Sequence, residues 1–258
     1  MATISTDTSL KECQLKAVHR LLSLNASEHT YDVSEYTRAP AGSSHNAWKV
    51  LIYDKTCQSI ISPLLNVSQL RSRGVTLHML AESKRERIPD VPAVYFVEPT
   101  RSNISIIASD CAQRLYSKVH IHFVSKLDRG LMEEFAKMIV ASNSLDVIAS
   151  VHDEYLDFQS LEQNLFALGN ARDSYVALHQ QGVTDQTMDA YLDQIAYGLL
   201  SVVGCFGAVP VIRCPKVSTT SPSPHILAIG PCFGVFLFYR SIVSSPTLSL
   251  SKRVAHLT

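Results

Sequence analysis

Residues 48–53 read Trp-Lys-Val-Leu-Ile-Tyr, a compact run rich in β-branched and aromatic residues that predicts the first strand of the fold. Similar short runs recur at Val75–Leu80, Ala93–Val97 and Val119–Val124. The runs at residues 48–53 and Ala93–Val97 are apolar almost throughout, which is typical of strands that are covered on both faces of a sheet. Strands of this kind separated by helical segments predict βαβ units and a mostly parallel sheet.

Helical periodicity fills the intervals between these strands. Apolar residues recur at helical spacing over Leu10–Leu24 and over Ile104–Leu115, and Asp128 is placed to cap a third amphipathic helix. Ser144–Val151 predicts a further short helix, and Tyr155–Phe158 predicts a fifth strand. Strands and helices thus alternate along this part of the chain, as they do in an α/β fold.

The chain divides into three parts by composition and pattern. Residues 1–158 are expected to form one α/β domain, an open and mostly parallel sheet flanked by helices. Residues 159–216 contain an amphipathic helix after Thr184 and a strand at Val209–Arg213, which predict the start of a second, incomplete α/β domain. Residues 217–258 contain none of the 23 acidic residues and four of the 11 prolines, and are expected to form a poorly ordered tail.

Composition excludes several classes of function. The 23 basic and 23 acidic residues give a net charge of zero, which argues against a dedicated nucleic-acid-binding protein. The six cysteines show no zinc-ligand spacing and the N-terminus lacks a secretory signal, so reduced thiols in a cytosolic protein are expected. The longest apolar stretch, Ile226–Tyr239, is shorter than the roughly 20 residues that a membrane-spanning helix needs.

The sequence lacks the common motifs of catalysis and nucleotide binding, since it contains no GxGxxG, Walker P-loop, GxSxG or HExxH. No cofactor is therefore predicted. Asp54 follows the first strand, at the edge where open α/β sheets often carry functional carboxylates. It is either a turn or cap residue, or part of a small flavodoxin-like enzyme or nucleotide-binding domain that uses the carboxyl ends of the strands.

Two other groups of charged or titratable residues allow more than one interpretation. His120 and His122 lie two apart on a predicted strand and, with His78, form either a three-histidine metal site or an ordinary half-buried polar face. The basic run Lys84–Arg87 is either a solvated loop or a contact for an acidic partner. Neither pattern is specific enough to predict a metal or a lipid ligand.

The segment Met132–Asp153 carries a clearer indication of a binding surface. Two consecutive amphipathic helices are predicted here, with an apolar groove between them lined by Met132, Ala136, Ile148 and Val151. Grooves of this kind bind short peptides through a few apolar anchors. The alternative is that all four residues belong to the hydrophobic core.

Seven stretches of the chain occur in an order that resembles a known family. They are Trp48–Asp54, Ser62–Leu64, Gly74–Leu77, Asp90–Phe96, Val151–Phe158, Leu161–Phe166 and Val209–Pro215. Together they resemble the N-terminal third of a Sec/Munc-like (SM) protein of the Sly branch. The resemblance covers residues 10–216.

The resemblance implies a function without catalysis or cofactor. SM proteins bind syntaxins and assembling SNARE bundles and so promote membrane fusion, and the Sly branch acts between the endoplasmic reticulum and the Golgi. The first domain of the family is an open parallel α/β sheet that captures an N-terminal peptide of its syntaxin. We therefore expect a cytoplasmic protein, held peripherally at these membranes by SNAREs, that binds a syntaxin peptide and no nucleic acid.

Matching the peptide pocket of the family residue by residue assigns a site. Ile148 and Val151 are expected to form its apolar floor, and Met132 and Ala136 the neighbouring wall. Asp153 matches an acidic position that can pair with a basic residue of the peptide. The resemblance thus favours a pocket over the core alternative for these residues.

The chain also departs from the family pattern. It is less than half as long as a family member, so the second domain is expected to be incomplete and the product is not expected to promote fusion by itself. The helix expected after Val209–Pro215 is replaced by Val217-Ser-Thr-Thr-Ser-Pro222. Because valine codons begin with GT, the usual intron donor dinucleotide, translation of a retained intron is one hypothesis for residues 217–258.

Overall fold

The computed structural model describes residues 9–24, 48–169, 182 and 184–207, and the backbone of 226–229 and 236–239. Its elements in chain order are α1 Leu10–Leu22, β1 Lys49–Tyr53, α2 Lys55–Ile61, α3 Val67–Ser72, β2 Val75–Leu80, β3 Ala93–Val97, α4 Arg101–Ala112, β4 Val119–Phe123, α5 Arg129–Ala141, β5 Ile148–Asp153, β6 Gln159–Ser160, β7 Phe166–Ala167, α6 Asp185–Phe206, β8 Ile226–Ile229 and β9 Phe236–Tyr239. The helix predicted after Asp128 is confirmed as α5, whose first turn Asp128 caps by accepting a hydrogen bond from the Gly130 amide at 2.8 Å.

Strands β1 to β5 form one parallel sheet in the order β2-β1-β3-β4-β5. The chain passes from β1 to β2 on one side and then crosses to β3 on the other, so β2 and β5 lie at the two edges. Every residue of β1 and β3 is buried, because helices cover both faces of these interior strands. The predicted α/β fold class and the parallel sheet are confirmed.

Helices enclose the sheet from two sides. On one side, α4 and α5 pack against the sheet in a hydrophobic cluster that includes Tyr95, Ile121 and Phe135. On the other side, α1 and α2 pack against it in a cluster that includes Leu21 and Phe96. These two sides of the sheet are called the α5 face and the α1 face below.

The last strand of the sheet differs from the prediction. In place of the helix predicted at Ser144–Val151, a single 3-10 turn at Leu145–Val147 is followed by strand β5 at Ile148–Asp153. The fifth strand predicted at Tyr155–Phe158 is also wrong, since no strand forms there. The local pattern misled because β5 is an edge strand, half-buried or exposed throughout, and lacks the continuous apolar run of an interior strand.

The segment after the sheet returns to α1. The Leu10 amide, in the first turn of α1, donates a hydrogen bond to Asn164 Oδ1 at 3.2 Å, so the β6–β7 connection supports the start of that helix. Helix α6 begins after Thr184 as predicted, because the Thr184 hydroxyl accepts a hydrogen bond from the Thr187 amide at 3.2 Å. The strand predicted at Val209–Arg213 lies outside the described residues, and the second domain stays a prediction.

Two further observations concern the C-terminal part of the chain and the helices. Within residues 217–258 the described backbone forms one antiparallel pair, β8 with β9, and the poorly ordered tail expected there stays a prediction. Across the ranges that the structure describes, no helix combines the length and the hydropathy needed to cross a bilayer.

Candidate functional site

Helix α5 presents two different sides to its surroundings. Phe135 and Ile139 point inward and are buried in the core cluster of the α5 face. Met132 and Ala136 lie one helical turn apart on the outward side, where Met132 is 48% exposed and Ala136 is also exposed. Val140, a further turn along, is 69% exposed and extends this apolar stripe. The helix therefore carries an apolar surface that the described part of the chain leaves open to solvent.

A bulge in β5 brings Ile148 and Val151 to the same face of the sheet. Ile148 pairs with Val119 and Val151 pairs with Ile121, but the register shifts between them so that Ala149 is an extra residue. In a regular strand, residues three apart would point to opposite faces. Here both share the face of Ile121, which lies in the core beneath α5.

Met132 and Ala136 thus lie on the exposed side of α5, and Ile148, Val151 and Asp153 lie on the edge strand that follows this helix in the chain. Ile148 is half-buried and packs against the core cluster that contains Phe135, whereas Val151 is 38% exposed. The second helix predicted to line the groove is wrong, because Ile148–Asp153 forms strand β5, and the groove itself stays a prediction. The core alternative is wrong for Met132, Ala136 and Val151, which are exposed, and holds in part for Ile148.

Two further exposed apolar residues near these positions were missed by the sequence reasoning. Val140 continues the spacing of Met132 and Ala136 along α5, and Leu145 follows the helix with 67% of its surface exposed. Extending the four-residue spacing by one turn would have found Val140. No local signal marks Leu145, because it lies in the turn between α5 and β5.

Asp153 is the last residue of β5. Its Oδ1 accepts a hydrogen bond from the Leu127 amide at 3.3 Å, and among the described residues it has no ion-pair partner. Partial burial raises the pKa of Asp153, although the Leu127 amide and Lys126 act in the opposite direction. As a whole residue, Asp153 is exposed.

The sequence model of the Sec1 family matches residues 49–232. The chain belongs to the Sec1 family. Similar relatives include the SEC1 family transport protein SLY1 of Arabidopsis thaliana, which is 38% identical over 209 residues, 81% of this chain and 32% of the relative. Protein sly1 of Schizosaccharomyces pombe is 37% identical over 219 residues, 84% of this chain and 33% of the relative. The chain thus spans about a third of the length of the curated relatives it matches.

Solved structures of Sec1-family proteins are similar in fold. Sly1p, solved in complex with an N-terminal peptide of Sed5p, is 34% identical with a TM-score of 0.72, covering 81% of this chain and 35% of that chain. The SM protein Vps45 is 18% identical with a TM-score of 0.61, covering 80% of this chain and 34% of that chain. The second likeness supports the fold alone, whereas the first also carries sequence similarity.

Asp54 acts as a structural residue at the carboxyl end of β1. Its Oδ1 caps α2 by accepting a hydrogen bond from the Cys57 amide at 2.8 Å. Its Oδ2 accepts hydrogen bonds from the Glu98 amide at 2.6 Å and from Asn103 Nδ2 at 2.9 Å. The cap alternative is therefore confirmed, and the flavodoxin-like enzyme alternative gains no support in this Sec1-family chain, because both oxygens hold neighbouring elements in place.

The basic run Lys84–Arg87 is only partly the solvated loop of the sequence analysis. Arg85 and Asp110 have side chains that are 8% and 6% exposed, and Arg85 Nε lies 2.8 Å from Asp110 Oδ2 without the alignment of a hydrogen bond. Arg85 Nη2 donates to Asp110 Oδ1 at 3.2 Å, and the Tyr95 hydroxyl donates to Asp110 Oδ2 at 2.7 Å. This buried pair fixes the β2–β3 connection onto α4.

The three-histidine metal interpretation is wrong. His78 lies on edge strand β2, which is separated by two strands from the β4 strand of His120 and His122. At about 4.8 Å per strand, His78 and His120 are roughly 14 Å apart, too far to share a metal ion. Among the described residues, no group of three or more His, Cys, Asp or Glu side chains is arranged to hold a metal.

Proposed function

We propose that this chain is a SNARE-binding SM-type protein of vesicle docking and fusion between the endoplasmic reticulum and the Golgi. In this proposal its first domain captures the N-terminal peptide of a syntaxin in the groove between α5 and β5. The observation that carries the proposal is that Met132, Ala136 and Val151 are exposed apolar residues on α5 and on the edge strand that follows it, where Ile148 is half-buried. The similarity to Sly1p, which was solved with an N-terminal peptide of Sed5p, supports this choice of ligand.

Recognition follows from the chemistry of the groove. Two or three apolar side chains of the peptide displace water from the Met132 and Val151 surface, and Ile148 forms the floor beneath them. Asp153 pairs with a basic residue of the peptide and fixes its direction. Truncating a well-seated anchor of the peptide is expected to cost about 2 kcal/mol of binding or more.

The proposed role is binding without catalysis or cofactor. The carboxylate best placed for chemistry, Asp54, already accepts three hydrogen bonds from its own fold. Association with endoplasmic reticulum and Golgi membranes is then peripheral and passes through the bound SNARE. Nucleic acid is not a partner in this proposal, because the chain has equal numbers of acidic and basic residues.

The test is calorimetric titration of the full chain with the N-terminal peptide of Sed5p. Saturable binding is expected, and Val151→Lys is expected to abolish it because the substitution places a charge in an apolar groove. Leu77→Lys is the matched control, since Leu77 is 40% exposed on β2 at the opposite edge of the same sheet. Circular dichroism establishes that both variants keep the wild-type fold.

Two results would contradict the proposal. A folded wild-type chain that does not bind the peptide would leave the family membership without this activity. Equal affinities for the wild type and Val151→Lys would show that the peptide binds elsewhere. Asp153→Asn is expected to weaken binding less than Val151→Lys does. When the basic residues of the peptide are replaced, the wild type and Asp153→Asn are expected to bind the peptide with equal affinity.

A further inference from the structure

The side of β5 that faces away from the groove carries a cluster of histidines. His120 and His122 on β4 pair in register with Ser150 and His152 on β5, so all four side chains lie on the α1 face. His120 Nδ1 is 2.9 Å from Ser150 Oγ, and the rings of His122 and His152 are stacked with centroids 5.3 Å apart. The same short strand therefore holds the groove on one face and the histidine cluster on the other.

The charges around this cluster are unbalanced. Lys49 on β1 faces His120 and is itself buried, with Nζ donating to the Leu22 carbonyl at 2.6 Å. The carboxylate in contact with the cluster is Glu154, whose Oε1 is 2.6 Å from His122 Nδ1. Asp153 also interacts electrostatically with His152, so in the part of the chain that the structure describes two carboxylates accompany three histidines and a lysine.

Protonation of His120 opposes the docking of β5 on β4. His120 lies half-buried beneath the edge strand, and its burial together with His122, His152 and Lys49 lowers its pKa to about 4. When β5 separates from β4, His120 becomes exposed to solvent and moves away from His152. The pKa of a solvent-exposed histidine is about 6.5. Protons therefore bind the open form more tightly, and the docked form loses stability as the pH falls from about 7 toward 4.

The edge position of β5 lets this electrostatic effect act locally. Its one described strand partner is β4, and no described strand pairs with its outer edge. Edge strands with few buried side chains open at lower free energy than interior strands do. An opening of β5 would separate Ile148 and Val151 from α5 and dissolve the groove.

We infer that the histidine cluster makes docking of edge strand β5, and with it the integrity of the groove, sensitive to acid. The consequence for peptide binding rests on the proposed function, whereas the opening of the strand does not. Peptide binds the docked strand and protons bind the open one, so each opposes the other. Affinity falls only in proportion to the docked fraction, so strand opening is the more direct measurement.

The experiment is amide hydrogen exchange of the full chain at pH 7.5 and pH 5.5, corrected for intrinsic exchange rates. The opening constant of β5 is expected to rise about tenfold, because one proton with a free pKa near 6.5 is excluded from the docked form. Amides of β3 serve as the internal reference and are expected to change much less. A constant ratio between β5 and β3 exchange at the two pH values would overturn the inference.

Two variants assign the effect to the cluster. His120→Gln keeps a hydrogen-bonding partner for Ser150 and is expected to remove most of the acid-induced opening. His78→Gln, at the opposite edge of the sheet, is expected to leave it unchanged. If the opening constant of β5 rises as much in His120→Gln as in the wild type, the inference is contradicted. Nuclear magnetic resonance titration of His120 in the wild type provides a test that needs no variant. Titration of that ring near pH 6.5 in the folded protein would also contradict it.

Peptide titrations test whether peptide binding and the opening of β5 oppose each other. A histidine-free Sed5p peptide is added at both pH values, and it is expected to slow the opening of β5 while leaving β3 exchange unchanged. Asp153→Asn separates the titration of the groove carboxylate from that of the histidines, because only the former contacts the peptide. Failure of the peptide to bind at either pH would reject the proposed function, and the exchange data would still decide the histidine inference.

Discussion

Strands β3 and β5 belong to one parallel sheet but differ in almost every physical property. All five residues of β3 are buried between two layers of helices, whereas every residue of β5 is half-buried or exposed. The interior strand therefore contributes more buried apolar area to the stability of the fold, and the edge strand leaves its side chains accessible to solvent. Because interior strands such as β3 supply the buried core, an edge strand such as β5 can keep exposed side chains and a bulge without loss of the fold.

The sharpest test of this difference is to truncate one side chain in each strand. Phe96→Ala in β3 is expected to lower the free energy of unfolding by about 3–5 kcal/mol, because it removes a fully buried ring and leaves a cavity. Val151→Ala in β5 is expected to lower it by less than about 1 kcal/mol, since 38% of that residue is already exposed. Urea unfolding followed by circular dichroism measures both, and equal losses would show that the two strands contribute equally to the core.

The interior strand also depends on a buried charge pair, and removing one partner is the next largest expected effect. Arg85→Met leaves the Asp110 carboxyl group buried beside the Tyr95 hydroxyl without its guanidinium partner, and is expected to cost about 3 kcal/mol of stability. Lys55→Met breaks an exposed pair with Glu82 and is expected to change stability by less than about 0.5 kcal/mol. Similar losses for the two variants in urea unfolding would mean that the Arg85 pair is not isolated from water.

The smallest expected effect on stability is that of replacing Asp157, which lies near Asp54 at the carboxyl end of β1. Burial, and then the nearby Asp54, raise the pKa of Asp157, so the folded state retains that proton to higher pH than the unfolded state does. The contribution of this group to stability is therefore lost as the pH rises above the ordinary aspartate range near 4. Asp157→Asn is expected to raise the thermal midpoint slightly at pH 7.

The pH dependence of that gain is the decisive measurement. It is expected to shrink toward zero at about pH 3, where the wild-type Asp157 is protonated in both states. Glu86→Gln, at an exposed position in the β2–β3 connection, serves as the control and is expected to have no effect. A destabilised Asp157→Asn at neutral pH would show that the ionised carboxylate makes a favourable interaction.

Sequence reasoning succeeded where the local pattern and the tertiary environment agree. The apolar runs of β1 and β3 predicted buried parallel strands, because a strand covered on both faces needs no polar alternation. Asp128 predicted the start of α5 through its capping side chain, a contact that spans only two residues. These features depend on neighbours close in the chain, and so the chain order is enough to reveal them.

Sequence reasoning failed where distant segments determine the environment. The segment predicted as a helix at Ser144–Val151 becomes β5 because the free edge of β4 is available for pairing. Arg85 belongs to a run that predicts a solvated loop, and its burial depends on Asp110 in α4, 25 residues away. Neither contact leaves a trace in local periodicity.

By itself, the sequence determined the parallel α/β core and supplied the residues of the proposed groove, because apolar runs and helical stripes are local properties of the chain. Only the tertiary structure decided that Ile148 and Val151 share one face, since the bulge between them exists only in register with β4. It also decided that His120 and His122 on β4 lie on the same face of the sheet as His152 on β5. Register between strands depends on the packing of the whole sheet, and for that reason no short stretch of sequence specifies it.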